Sequence, residues 1–285
     1  MVTKAVIPVA GLGTRLRPIT CACPKALLPL VDSAGRARSV FHHVLTEAAA
    51  AGAAEAAVVI SPGQRELIER YLAGVPAGDP LPLPAHIRYL VQPEPAGFGD
   101  AVLRAAGFVG ENDFLVLLGD HVHLAEPGRG ACAAQVAEAF AAHTAEAMVG
   151  MQPVAAAELP RVGVGRGEPL RGNVYRCTAI VEKPTEAQAR AELVTPGLPE
   201  GTYLAHCGIY AFSPRIFACL SELRSRVEAG GELQLTDAQQ MLLAERPEGC
   251  YLVRIAGSAH DTGTPEGYAA TFAAVRAGQG RAPGD

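Results

Sequence analysis

The run Phe114-Leu115-Val116-Leu117-Leu118 carries no alternation of polar and apolar residues. A strand with one wet face alternates; a strand that stays apolar is covered on both faces. Residues 5–9, Ala5-Val6-Ile7-Pro8-Val9, read the same way. Helical stretches separate such runs. The pattern predicts strands over 4–9, 56–60, 87–91 and 114–118, with helices over 39–51 (capped by Ser39), 61–73 (opened by Ser61-Pro62), 99–108 and 131–143. Residues 75–84 are Pro-rich and read as an irregular loop. Alternation of this kind implies an α/β protein: an open, largely parallel sheet between two helical layers. Ligands of such sheets sit beyond the carboxyl ends of the strands.

The second half is less regular. Residues 147–153 are extended, 162–180 hold short extended pieces broken by glycines, and 203–212 form a strand. A helix follows Ser213-Pro214, another contains Thr236-Asp237, a strand covers 250–255 and a helix 265–276. No linker divides the chain. The expectation is one domain over 1–276, split functionally near 153, with a flexible tail over 277–285.

The 285 residues are 49% hydrophobic, enough for a large core, yet no apolar run reaches the length of a membrane span. The net charge of −5 argues against a nucleic-acid partner. The N-terminus runs straight into a strand, without a secretory leader. Seven dispersed cysteines fit reduced thiols, so a cytoplasmic location is expected. Cys21-Ala22-Cys23 lacks the second ligand pair of a zinc site.

The first strand opens into Ala10-Gly11-Leu12-Gly13-Thr14-Arg15, followed by Pro24-Lys25. Glycines let backbone N–H groups approach anionic oxygens, and Arg15 and Lys25 add positive charge. This is not a dinucleotide fingerprint, whose third glycine would stand where Leu16 is, and it is not a Walker A loop. Lys4, Lys25 and Lys183 are the only lysines in an Arg-rich chain, and two of them lie in candidate phosphate motifs. A compact ammonium at those positions resists replacement by a planar guanidinium.

Gly11 to Leu16 with Pro18, Pro24-Lys25, Leu28-Pro29 and Asp32 resembles the signature of sugar-1-phosphate nucleotidyltransferases. The resemblance is greatest to the bacterial UTP–glucose-1-phosphate uridylyltransferases, with the glucose-1-phosphate thymidylyltransferases next. It continues through residues 92–102, 117–120, 181–184, 231–237 and 261–263, nearly the whole chain. It implies a Rossmann-like three-layer nucleotidyltransferase fold with a mostly parallel mixed sheet, and a homodimer or homotetramer. The implied reaction joins a nucleoside triphosphate, UTP or dTTP, to a sugar-1-phosphate with Mg²⁺ as cofactor, releasing pyrophosphate. UTP with glucose-1-phosphate, giving UDP-glucose, is the leading pair. The alternatives are dTTP, another sugar or cyclitol phosphate, and a non-catalytic nucleotide-sugar sensor.

The resemblance also assigns roles. Ala10, Gly11, Leu12, Gly13 and Thr14 lie along the nucleotide, with Arg15 on the triphosphate and Lys25 at the reacting phosphate. Gln92 and Gly97 serve the base, since an amide both donates and accepts, as a pyrimidine imide does. Asp120 and Asp261 are the metal carboxylates. Glu182 takes sugar hydroxyls and Lys183 the sugar phosphate. Gly163 and Gly208 approach the sugar, with Gly165 and Gly167 as neighbouring alternatives to Gly163. Two positions depart from the pattern. His121 stands where relatives have Asn or Asp, and Asp100 where the uridylyl enzymes often have His. His121 and His123 have the look of metal ligands, but alternation along an extended segment explains their spacing more cheaply. Gln92-Pro93 and the 261–264 segment lean thymidylyl; Gly11-Leu12-Gly13 and 231–237 lean uridylyl.

Overall fold

Strands form where apolar runs meet turn residues. A computed structural model of the chain describes residues 2–228 and 230–278. Its strands are β1 (Lys4–Pro8), β2 (Pro29–Val31), β3 (Ala37–Ser39), β4 (Glu55–Ile60), β5 (His86–Val91), β6 (Phe114–Leu117), β7 (His121–Ala125), β8 (Ala147–Ala155), β9 (Gly163–Pro169), β10 (Val174–Glu182), β11 (Thr202–Phe212), β12 (Cys250–Arg254) and β13 (Gly257–Asp261). The helices are α1 (Val40–Ala50), α2 (Arg65–Ala73), α3 (Phe98–Leu103), α4 (Ala106–Val109), α5 (Cys132–Ala141), α6 (Glu186–Glu192), α7 (Ile216–Arg226), α8 (Leu235–Glu245) and α9 (Pro265–Arg276).

One mixed sheet runs β5-β4-β1-β6-β11-β8-β12-β10-β9 among the described residues. The half built from β5, β4, β1 and β6 is parallel. Beyond β6, β11 runs antiparallel to both its neighbours, while β8 and β12 are parallel to each other. All of β6 is buried. Phe114 and Val116 join one apolar cluster, Leu115 and Leu117 the cluster on the opposite face. That is the doubly covered strand its composition requires. No helix among the described residues is long and apolar enough to cross a membrane.

Most expected elements form within a residue or two of their expected bounds. Ser39 caps α1, its Oγ accepting from His42 N at 3.1 Å. Thr264 caps α9 in the same way, with Pro265 in the first turn. Two elements differ. The expected helix over 61–73 starts only at Arg65, because Gly63 takes a left-handed φ of 83° and Gln64 Oε1 accepts the Ser61 N–H at 2.9 Å. The expected helix over 99–108 divides into α3 and α4 where the chain tightens to an i→i−3 bond, Ala105 N to Val102 O. Of the expected flexible tail, residues 279–285 lie outside the described residues.

Two buried charge arrangements tie the layers together. The Arg38 guanidinium bridges Asp32 Oδ2 (3.0 Å) and Asp79 Oδ1 (2.8 Å), fastening the Pro-rich loop to the β2–β3 hairpin. Removing the cation leaves Asp79 without its guanidinium and Asp32 with that of Arg36, both carboxylates being enclosed. Arg38→Met is therefore expected to lose about 3–5 kcal/mol of stability, read as a lower urea midpoint.

The second arrangement is Glu47, on α1 where it packs against α5. It accepts from Ala133 N at 2.7 Å, at the start of α5. Burial raises its carboxyl to about 7, and the N–H groups of Ala133 and Cys132 only partly offset this. The folded chain thus holds a proton on Glu47 that the unfolded chain has released. This group's contribution is fully present below pH 4.5 and is lost as pH rises to about 7. Melting temperatures measured across that window should fall in the wild type, and the slope should flatten in Glu47→Gln.

Candidate active site

Beyond the carboxyl ends of β1 and β6 the chain gathers its charges. β1 ends at Pro8, and Gly119, just past β6, packs so closely there that a Cβ on it would stand 2.5 Å from Pro8 O. The neighbouring Asp120 is thereby set at the strand end. The loop from Gly11 to Leu28 folds over the same spot through three short 3₁₀ turns, Thr14–Leu16, Ile19–Cys21 and Lys25–Leu27. Thr20 Oγ1 donates to Gly13 O at 2.8 Å and holds the loop in place. Lys25 reaches back beneath the loop, with Nζ 3.3 Å from where a Gly11 Cβ would be. Its ammonium forms an ion pair with Asp120 Oδ2.

Asp261 arrives from the other end of the sequence. β13 pairs antiparallel with β7 and sets Asp261 directly opposite His121. Thr262 locks the join, donating to Asp120 O through its N–H (2.9 Å) and hydroxyl (2.8 Å). Ligand atoms of Asp120, His121 and Asp261 all lie within 4.8 Å of one another. Arg15 is exposed, and its Nη2 lies 3.1 Å from where a Gly263 Cβ would be, beside Asp261. The structure thus brings Gly11, Arg15, Lys25, Asp120 and Asp261 together.

Burial alone would raise the Asp120 carboxyl. Lys25 and His121 together outweigh it and hold Asp120 well below the usual carboxylate range. Burial likewise opposes protonation of His121, but Asp120, at 3.0 Å from Nδ1, and Asp261 raise its pKa. His123 does not join the cluster. Its Nε2 lies 2.7 Å from Cys207 O, and burial pushes its pKa down to about 3. The two histidines alternate as their spacing suggested, but only His121 faces the carboxylates. The sequence offered ligation by both histidines as the alternative to plain alternation, and the structure separates the two: His121 lies with the carboxylates and His123 does not.

Gln92 and Gly97 form a second element. Gln92 Nε2 donates to Gly97 O (3.0 Å) and Asp100 Oδ2 (2.8 Å). An ionised carboxylate only accepts, so Asp100 fixes which end of the amide faces inward. Both amide protons are used, and Oε1 is the acceptor that these two bonds leave over. The amide's two donors are thus spent within the chain. Gly97 adopts φ 98° and lies so close to the 233 segment that a Cβ would stand 2.8 Å from Leu233 N. Its observed work is packing: Leu233 N donates to Ala96 O (2.8 Å) and Gly99 N to Leu233 O (2.8 Å).

Glu182 and Lys183 form a third element at the end of β10. Glu182 pairs across the sheet with Gly163. Its Oε2 accepts from the Thr236 hydroxyl at 2.8 Å. Lys183 adopts φ 47°, unusual for a side chain of its size, and its Nζ lies 3.7 Å from Glu182 Oε1. Both side chains are exposed. Gly208 belongs elsewhere: a Cβ there would stand 3.1 Å from His121 Cδ2, so Gly208 backs the carboxylate cluster. Of the three candidate glycines, Gly163 is the one beside Glu182; Gly165 and Gly167 face Leu252 and Tyr175. The three elements are joined. The 233–236 segment links Gly97 to Glu182, and β11 links Gly208 to the strands that carry Gly163. Thr236, Thr262 and Gly119 were missed as individuals, since Thr and Gly are common in turns and nothing local marks them.

Residues 4–278 match the family model described as nucleotidyl transferase. The UTP–glucose-1-phosphate uridylyltransferase of Bacillus subtilis is 33% identical, over 95% of this chain and 89% of its own length. The enzyme of that name from Pseudomonas aeruginosa is 29% identical over 94% of each. Among solved structures, UDP-glucose pyrophosphorylase complexed with UDP-glucose superposes with a TM-score of 0.76 at 27% identity, covering 96% of this chain and 98% of that one. UTP-bound UGPase from Acinetobacter baumannii gives 0.72 at 26%, covering 96% and 93%. A loop of glycines and cations over strand ends, two converging carboxylates and this whole-chain likeness have one reading: the chain belongs to the nucleotidyl transferase family and is an enzyme of that class.

Proposed function

We propose that the chain transfers a uridylyl group from UTP to glucose-1-phosphate, giving UDP-glucose and pyrophosphate. The observation that carries this is the pairing of Lys25 with Asp120 beneath the Gly11 loop, with Asp261 and Arg15 alongside. It is a site for a triphosphate, with a second cation and carboxylate, Lys183 and Glu182, on the neighbouring strands. The relatives, UTP–glucose-1-phosphate uridylyltransferases, supply the substrate pair.

In this reading a phosphate oxygen of glucose-1-phosphate attacks the α-phosphorus of UTP. The new P–O bond forms as the bond to the β-phosphate oxygen breaks, and pyrophosphate carries away that electron pair. No protein nucleophile is needed; the work is to position two anions and neutralise their repulsion. Arg15 faces the departing pyrophosphate. Lys25 exchanges its Asp120 partner for the α-phosphate and meets the charge that builds there. Lys183 holds the attacking phosphate, and Glu182 accepts from sugar hydroxyls. Gln92 Oε1 accepts from the imide N–H of uracil.

Asp120 and Asp261 fit a divalent cation. Two carboxylates converge, and Mg²⁺ takes one or two carboxylates with water and phosphate completing its shell. His121 is the softer donor, and its Nδ1 already faces Asp120. The ion would supply charge neutralisation to the triphosphate.

The first test is pyrophosphate release from UTP, Mg²⁺ and glucose-1-phosphate. Turnover is expected in the wild type and lost with excess EDTA. Lys25→Ala and Arg15→Ala should each fall on the order of 10²–10³-fold in kcat; normal turnover in Lys25→Ala would overturn the assignment. The second test compares UTP, dTTP, CTP, ATP and GTP by kcat/KM. UTP should lead, and a preference for GTP would refute the role given to Gln92 while sparing the mechanism.

A further inference from the structure

β9, β10 and β11 set three residues in one row. Glu182 pairs with Gly163 across β10 and β9. β11 pairs with β9 through Leu204–Gly165 and Ala205–Val164. The same register carried one residue further sets His206 beside Gly163. The distances agree: a Cβ on Gly163 would stand 2.8 Å from His206 Nδ1 and 3.0 Å from Glu182 Oε2. The row is therefore a notch. Its floor is the bare Cα of Gly163, and its walls are an imidazole and a carboxylate.

His206 is only 8% exposed, and its Nε2 is enclosed with no hydrogen-bond partner among the described residues. An enclosed N–H without an acceptor is the more costly state for that nitrogen, so the proton belongs on Nδ1. Burial keeps the ring neutral, its pKa pushed down to about 4. Nδ1 is thus a donor facing the notch, while Glu182 only accepts. The group that fits between a donor and an acceptor is one that accepts and donates at once. A hydroxyl does so; a methyl or methylene does not.

We propose that His206 is a specificity-determining residue of the sugar-phosphate subsite, donating from Nδ1 to the sugar hydroxyl whose own proton goes to Glu182. The assignment rests on the nucleotidyl-transfer reading above. Neither the Gly11 loop nor the Lys183 phosphate contact requires it. It makes the notch a reader of one hydroxyl on the substrate ring, where Glu182 alone would accept from any donor within reach.

The test measures kcat/KM for glucose-1-phosphate and its 2-, 3-, 4- and 6-deoxy analogues, in the wild type, His206→Val and His206→Asn. In the wild type, the analogue lacking the shared hydroxyl should lose on the order of 10-fold or more. In His206→Val the parent substrate should fall to about that level, and the analogue's extra penalty should vanish. Penalties for the other analogues should persist, and KM for UTP should stay unchanged. His206→Asn, which keeps a donor, should recover part of the discrimination. Identical deoxy penalties in wild type and His206→Val would overturn the proposal. So would a KM for UTP that rises in step with that for the sugar phosphate, since a merely structural histidine behaves so. Absence of pyrophosphate release by the wild type itself would instead overturn the reaction, and the proposal with it.

Discussion

The ion pair between Lys25 and Asp120 is the constraint on which the site depends. Lys25 belongs to a loop whose only regular structure is three single 3₁₀ turns, and such a segment has little of its own to hold it. Asp120 belongs to the end of a fully buried strand. Pairing them fastens the loop to the sheet, and it does so with charges that face the space above the strand ends. A half-enclosed pair of this kind gains from low dielectric only while both partners are present. The depressed pKa of Asp120 expresses the same coupling, since the carboxylate stays ionised because two cationic or proton-donating neighbours face it. The cluster is thus charge-compensated within the chain itself, and in the proposed reading an incoming phosphate takes over a cation that is already in position.

β11 does the corresponding work for the other half. It begins antiparallel to β8 with His206 opposite Met151, then resumes with Tyr210 opposite Val149, so the strand gains two residues between those points. Gly208, at φ 84°, sits in that irregularity. Bulges of this kind re-aim side chains near functional sites. Here the result is that Gly208 backs His121 in the carboxylate cluster while His206, two residues earlier, flanks Gly163 and Glu182. One local break in register lets a single strand flank both the carboxylate cluster and the Gly163–Glu182 pair.

Much of this was legible in the sequence, and the boundary has a physical cause. Features set by local chemistry were readable. The non-alternating run at 114–118 announced a doubly covered strand, Ser39 announced a cap, and the first strand announced a glycine loop carrying Arg15 and Lys25 at its end. Features set by distant chain segments were not. That Asp261 meets Asp120 depends on β13 lying against β7, and only the resemblance to a known family implied it. The start of α2 was misread because Gly63 and the Gln64 side chain outweighed a plausible Ser-Pro cap. His206 is invisible from its neighbours in sequence, since its surroundings come from three strands. Gln92 was found, but its direction was not, because Asp100 had to be placed before the amide could be oriented.

That orientation sharpens the chemistry of base choice. Asp100 takes one Gln92 amide proton and Gly97 O the other, while Arg104 Nε at 2.8 Å keeps Asp100 paired. The amide cannot turn over without setting its oxygen against a buried carboxylate and leaving Gly97 O without its donor, each a loss of order 1–3 kcal/mol. The group left over is consequently an acceptor. In the proposed reading it faces the N3 edge of the base. Uracil carries a proton there and pairs with it; cytosine carries a lone pair there and meets it acceptor to acceptor. The two pyrimidines differ little in shape, so in this reading the discrimination between them rests on the fixed direction of one side chain, set by the Asp100–Arg104 pair.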